Sequence, residues 1–357
     1  MSVLFPVNLD PASEDPVMDF LFVDLLGKPL WMWLTFIAVV LFLLALDLGV
    51  LHKNSREIGI KESFALSGFY IALGLAFGGW IWFQSGEQAG LEYLTGFVVE
   101  KSLAMDNIFV IAMIFSYFSI PRIYQHRVLL WGILGVIVLR GIMIAAGAAI
   151  VENYNWVLYI FAAFLIITGI KMLLTADQEY DVASNPVLKF LRRKLPVTDG
   201  LRGDHFIVRE TDGTTGRLKT FITPLFLALV MVELADVIFA VDSIPAIFAI
   251  TTDPYIVYTS NIFAILGLRA LYFALSALIH RFAYLKYALS VVLIFIGSKI
   301  FLADMLGLAK IPPVVSLTVT LGILAAGILG SLWATRNDRP QVEKPEANKL
   351  ELEKPAE

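Results

Sequence analysis

The stretch E-K-S-L-A-M-D-N, Glu100–Asn107, lies inside an apolar run, Leu91–Phe118, long enough to cross a bilayer as a helix. A second stretch, D-V-I-F-A-V-D-S, Asp236–Ser243, lies the same way inside Phe221–Ile250. Each has an acid, five residues, then an Asp followed by a small polar residue. Carboxylates at membrane depth are costly, face a protein interior or a wet cavity, and mark a functional site by default. The two runs predict an all-α polytopic membrane protein, a transporter whose substrate meets these acids near the midplane.

Composition agrees. Of the 357 residues, 58% are hydrophobic and only 16% charged, where a soluble domain carries roughly a quarter. Mean hydropathy is +0.78. There is no cysteine, which excludes disulfides and thiolate metal sites. The start is acidic (Asp10, Glu14, Asp15, Asp19, Asp24), unlike the basic start of a cleavable signal peptide.

Outward from the two runs, the chain reads as about nine apolar segments: 31–51, 62–84, 91–118, 126–150, 154–174, 221–250, 256–280, 284–303 and 312–335. Every second connection is basic: Lys53, Arg56 and Lys61; Arg122 and Arg127; the linker 175–220 with its Lys189–Lys219 cluster; Arg281 with Lys286; then Arg336 and Arg339. The others hold Glu87 and Glu92, Glu152, Asp253, and Asp304 with Lys310. By the positive-inside rule, residues 1–29 are a periplasmic tail, loose over 1–17, and 337–357 a disordered cytoplasmic tail. The membrane domain is 30–336, in a bacterial inner membrane. Within the linker, Asn185–Lys194 suggests a short basic helix on the lipid surface, and H-F-I-V-R-E-T-D-G-T-T-G-R-L-K-T-F a hairpin around Asp212–Gly213. Basic loops are ordinary beside membranes, so the cluster does not imply nucleic acid.

The acidic pattern belongs to a longer repeat. A-M-D-N-I-F-V-I (104–111) aligns with A-V-D-S-I-P-A-I (240–247), and L-R-G-I-M-I-A-A-G-A (139–148) with L-R-A-L-Y-F-A-L-S-A (268–277). I-I-T-G-I-K-M-L-L-T-A-D (166–177) aligns with I-F-I-G-S-K-I-F-L-A-D (294–304) with one gap. Glu100 is thereby matched with Asp236, Asp106 with Asp242, Arg140 with Arg269 and Lys171 with Lys299. The units, about 91–177 and 221–304, hold three segments each, so the second enters from the opposite side. Inverted three-plus-three repeats place a transport site at their interface.

The candidate metal ligands are Asp47, Glu100, Asp106, Asn107, Glu233, Asp236, Asp242 and Ser243. Lys101, Arg140 and Arg269 are too few cations to balance six acids, as a cation site requires. All donors are oxygens, and the four histidines lie in loops or at segment ends, which suits Mg, Ca or Mn over copper. Pro245 frees the carbonyl of Val241, and a helix break there would bring Glu233, Asp236 and Asp242 together. Lys101 either neutralises Glu100 or snorkels along a neighbouring face. Six carboxylates in a low-dielectric interior cannot all be ionised without a cation, so the empty site is expected to hold protons that a bound ion expels. Glu100 and Asp236 are the candidate proton carriers. No residue pattern suggests an enzyme or a resident cofactor.

At A-L-D-L-G-V (45–50), E-K-S-L-A-M-D-N-I-F-V (100–110) and V-E-L-A-D-V-I-F-A-V-D-S-I-P-A (232–246) the chain resembles the TerC/Alx family of bacterial membrane proteins. That family is named for tellurium resistance, is related to the LysE exporters, and includes manganese exporters and members tied to alkaline response. The resemblance implies inner-membrane Mn²⁺ efflux. Spacing alone reaches only a divalent cation held by oxygens. Two other readings remain: a LysE-like amino-acid exporter, and a non-transporting factor that assists secretion or assembly.

Overall fold

The computed structural model describes residues 20–49, 59–154, 156–174, 181–211, 216–275, 285–307 and 311–336. The tails 1–17 and 337–357, the 51–58 loop and the Asp212–Gly213 turn lie outside these residues. The elements are β1 (Asp24–Leu25), β2 (Lys28–Pro29), α1 (Leu30–Gly49), α2 (Ile60–Ser85), α3 (Glu87–Tyr117), α4 (Arg122–Asn153), α5 (Val157–Leu174) and α6 (Pro186–Lys194). Then follow β3 (Ile207–Thr211), β4 (Leu218–Ile222), α7 (Pro224–Phe248), α8 (Pro254–Ile265), α9 (Leu268–Leu275), α10 (Leu285–Met305) and α11 (Pro313–Ala334).

Among the described residues eight stretches are long and apolar enough to cross a membrane. They are α1, α2, α4, α5, α7, the α8–α9 pair, α10 and α11. The remaining apolar segment is α3, a helix of 31 residues that carries Glu87, Glu92, Glu100, Lys101 and Asp106. It survives this charge because other helices surround it: α2, α7, α8 and α11 all pack on it. Glu100 and Lys101 are buried.

Glycines set the closest helix approaches. Gly169 of α5 faces Ile294 and the Ser290 carbonyl of α10, and a Cβ there would come within 2.8 Å of that oxygen. Gly297 of α10 faces the Ala162 carbonyl of α5, with 2.6 Å left for a Cβ. Small residues let membrane helices pack backbone to backbone, so these two helices lock along their length.

The chain ends of the bundle differ. At one end, Arg192 of α6 stacks over Tyr117 and Phe118 at the end of α3. Arg127 of α4 is paired with Asp204. Asn185 caps α6 by accepting from Val187 N at 2.9 Å, and Pro186 fills the first helical position. The hairpin β3–β4 pairs Ile207 with Ile222 through Thr211 with Leu218. Thr223, which opens α7, bonds the carbonyl of His205 at 2.7 Å. At the other end, Lys28 pairs with Asp253 at 3.0 Å, and Trp33 Nε1 donates to Leu25 O at 2.9 Å. Residues 24–29 form a hairpin tied to the α7–α8 loop.

The expected break at Pro245 is absent. α7 runs unbroken from Pro224 to Phe248. Pro245 falls in its last turn, where the missing N–H removes one hydrogen bond and the helix simply ends; Ala249 N bonds the Pro245 carbonyl at 2.9 Å. The break lies instead in the next segment, between α8 and α9, where Leu266 is extended (ψ 127°) and Gly267 has φ +82°. Glycine is required there twice over. The left-handed φ disfavours a side chain, and a Cβ would stand 2.6 Å from that of Tyr70.

Candidate functional site

Arg140 sits in the middle of the unbroken helix α4 and is 1% exposed. Its Nε and Nη2 grip both oxygens of Asp236 of α7, at 3.1 and 3.0 Å. Its Nη1 donates to Glu100 of α3, to Asn261 Oδ1 of α8 at 3.0 Å and to Ser243 Oγ of α7 at 3.3 Å. One guanidinium thus ties α4 to α3, α7 and α8. Bidentate Arg–carboxylate pairing is the geometry that makes such a buried pair worth its desolvation.

Two carboxylates face one guanidinium, and the polar atoms are not all used. Glu100 Oε2, Asn107 Oδ1 and Asn261 Nδ2 are buried without a hydrogen-bond partner among the described residues. Asn107 Nδ2 donates to Asp236 Oδ1 at 3.4 Å. Asn107 and Asp236 line a cavity of about 20 Å³ together with Arg269, room for about one water molecule. Apart from Asn107, Asp236 and Arg269 the void is lined by apolar side chains such as Ile111, Val136 and Phe239, so it is the unsatisfied buried acceptors of Glu100 and Asn107 that suit a donor or a cation.

Lys101 does not neutralise Glu100. Its Nζ donates to the carbonyl of Ala264 at 3.0 Å, in the last turn of α8. The break at Leu266–Gly267 leaves such carbonyls without helical partners, and a cation at a helix C-terminus satisfies them and the dipole together. Arg269, the first turn of α9, is paired with Asp47 of α1. Tyr70 of α2 also hydrogen-bonds Asp47. Asp47 therefore belongs to a second buried cluster on the outer helices and is not a partner of Glu100.

The remaining acids lie on other faces. Asp106 is partly buried, with Lys286 of α10 in electrostatic reach. Asp242 is partly buried, accepts from Thr168 Oγ1 of α5 at 3.3 Å, and feels Lys171. Glu233 lies over Gly135 of α4, its Oε2 buried without a partner among the described residues. Hence one eight-residue site does not form here. Among the described residues no group of three or more His, Asp or Glu is placed to hold a metal ion. The reason is helical phase: six residues along a helix of 3.6 per turn turn the side chain about 120° away. With α7 unbroken, Asp242 stays off the Asp236 face. The structure unites Glu100, Asn107, Asp236, Ser243 and Arg140, and adds Asn261, which the sequence reading missed. A signal was present: Thr259-Ser260-Asn261 is a polar triplet inside an apolar segment, and all three are fully buried.

Residues 85–339 match the model described as the integral membrane protein TerC family. An uncharacterized membrane protein of Myxococcus xanthus is 46% identical over 87% of this chain and 94% of its own length. One of Rickettsia felis is 46% identical over 84% of this chain and 97% of its own. A protein of Escherichia coli O6:H1, Alx, is 46% identical over 89% of this chain and 99% of its own; its name proposes a membrane-bound redox modulator. No solved structure matches the chain.

Proposed function

The chain belongs to the TerC family of integral membrane proteins, and from that premise we propose that it exports divalent cations, Mn²⁺ above all, from the cytoplasm. The observation that carries the reading is the buried cluster Glu100–Arg140–Asp236 with Asn107 and Ser243: oxygen donors only, more carboxylates than cations, and acceptor atoms left unpaired. Hard oxygen sets of this kind suit Mn²⁺, Mg²⁺ and Ca²⁺. A cluster of carboxylates inside a membrane bundle is an ion path before it is a structural prop. The ion is cargo, with no chemical reaction to catalyse.

The same reading sets the chain in a bacterial inner membrane as a multi-pass protein, with a periplasmic N-terminus and cytoplasmic C-terminus. Its core is an inverted pair of three-helix units, and export is coupled to inward proton movement. Among the described residues both buried arginines, Arg140 and Arg269, already hold acids, which argues against a site for the carboxylate of an exported amino acid. For the relatives' redox naming, a chain without cysteine has no thiol to exchange, so a redox effect would follow from the ion moved.

The test is cellular metal content after a manganese load, with Mg, Ca and Fe measured alongside. Wild type should lower manganese; Asp236→Asn and Glu100→Gln should abolish this while the protein still reaches the membrane. Asp106→Asn and Asp242→Asn, outside the cluster, should lower efflux without abolishing it. Full activity in Asp236→Asn would take this cluster out of the ion path, and no lowering of manganese by wild type would sink export in favour of a structural factor. Cysteines at Glu87 and Asp253 should be labelled from outside, and those at Arg122 or in 185–210 only from the cytoplasm.

A further inference from the structure

Glu233 is a partly buried acid that the cluster leaves unused. It stands one turn before Asp236 on α7, about 4.5 Å along the axis. Its carboxylate fills the space over Gly135 of α4 that any side chain at 135 would take. Its Oε2 is buried and unpartnered among the described residues, an arrangement that costs the desolvation of that oxygen with nothing returned.

Arg140 is five residues beyond Gly135 on the same helix, about 7.5 Å along it. Helical side chains lean toward the N-terminus, here from Arg140 toward Gly135. α4 and α7 run in the same direction, both starting at the end of the bundle where α6 and the β3–β4 hairpin pack. Gly135 lies about 140° round α4 from Arg140, but Glu233 and Asp236 are three apart on one face of α7, so a guanidinium that releases Asp236 meets Glu233 by moving about 4.5 Å along α7.

We infer that the Arg140 guanidinium has two seats, the observed one between Glu100 and Asp236 and a second on Glu233, and that an entering divalent cation takes the first and drives it to the second. This rests on the export reading. Charge supports it. A divalent ion on Glu100 and Asp236 is neutralised by those two carboxylates, and Arg140 on Glu233 is a neutral pair. The ion and these four side chains then carry no net charge together, as a low-dielectric interior favours. In the empty state the arginine itself fills the ion's place, which keeps two adjacent carboxylates from facing each other unscreened.

The test has a metal-free arm and a metal arm, both on purified protein in detergent. Without metal, Glu233→Gln alone should hardly change Tm. Added to Asp236→Asn, where the guanidinium has moved to Glu233, it should lower Tm by more than the sum of the two single changes. Additive shifts would overturn the second seat. With metal, free Mn²⁺ is followed by its paramagnetic resonance signal. Glu233→Gln should weaken binding roughly tenfold, the size of a typical coupling between linked sites. Adding Arg140→Gln should restore it, since no guanidinium then competes. If that double variant does not fold, Arg140→Lys, which cannot bridge both carboxylates, should restore it in part. No recovery in a folded variant would overturn the competition. Absence of Mn²⁺ binding by wild type would overturn the export reading and the displacement, while non-additive Tm shifts would still report the two seats.

Discussion

Arg140 and Arg269 stand at matching positions of two similar stretches, L-R-G and L-R-A, yet they end in different company. Arg140 is carried by one unbroken helix and holds Glu100 and Asp236, one acid from each matched stretch. Arg269 follows a break and holds Asp47 of α1, a helix outside both stretches. The residue before each Leu-Arg pair differs: Val138 in the first, Gly267 in the second. Val138 continues a helix; Gly267 takes φ +82° and turns the chain. The two stretches offer the same side chain. The backbone turn beside it decides what that side chain meets. One arginine therefore centres the site, and the other fastens the outer helices to it.

The largest expected effect separates the two arginines. Removing one partner of a buried ion pair costs about 3–5 kcal/mol, because the other charge is left buried alone. Arg140→Ala strands two carboxylates, one of them 1% exposed; Arg269→Ala strands one, Asp47, which keeps the Tyr70 hydrogen bond. Arg140→Ala should give no monodisperse protein on extraction, whereas Arg269→Ala should be recovered with a lowered Tm. Equal losses would break the comparison.

The next effect exchanges the residues that made the two halves differ. Gly267→Val puts a β-branched residue at a left-handed φ and against Tyr70. Backbone strain of that kind costs roughly 1–3 kcal/mol before the collision is counted. Val138→Gly, on an exposed face of α4, should cost only about 1 kcal/mol, the helix penalty of glycine. Thermal unfolding in detergent compares them directly, and a similar cost for both would mean that the break is incidental.

Much of this was legible in the sequence. Apolar length marked the segments, because bilayer thickness acts on composition alone. The acids in Leu91–Phe118 and Phe221–Ile250 pointed to a candidate site, and Glu100, Asp236, Asn107, Ser243 and Arg140 converge in one buried cluster. What failed was the backbone. Pro245 was taken as the break because proline lacks an N–H, but a proline in a last turn costs one bond and no direction. Gly267 looked like any membrane glycine, since its φ depends on the tertiary contact with Tyr70. Of the two readings of Lys101, neutralising Glu100 fails for the same reason: its acceptor, the Ala264 carbonyl, is free because α8 ends there. Local pattern shows which groups are present; breaks fix their directions, and breaks are set by neighbours far along the chain.

The smallest effect isolates burial from chemistry. Arg127 pairs with Asp204 as Arg140 pairs with Asp236, guanidinium to carboxylate, but its side chain is 34% exposed and that of Asp204 is 47% exposed. It also lies over the Phe206 ring at 5.4 Å. An exposed pair is worth about 0–1 kcal/mol, and an exposed cation–π contact about 0.5–1. Arg127→Gln should thus lower Tm slightly and leave the linker helix α6 in place, since Leu188 and Arg192 hold it independently. Salt decides the cause. At about 1 M ionic strength charges separated by more than about 3 Å are screened where water reaches them, so the difference between wild type and Arg127→Gln should shrink. The Arg269→Ala difference, set by a pair that water does not reach, should persist. If Arg127→Gln instead costs as much as Arg269→Ala at every salt concentration, the linker is as much a part of the membrane core as α1, and burial alone does not separate the arginines of this protein.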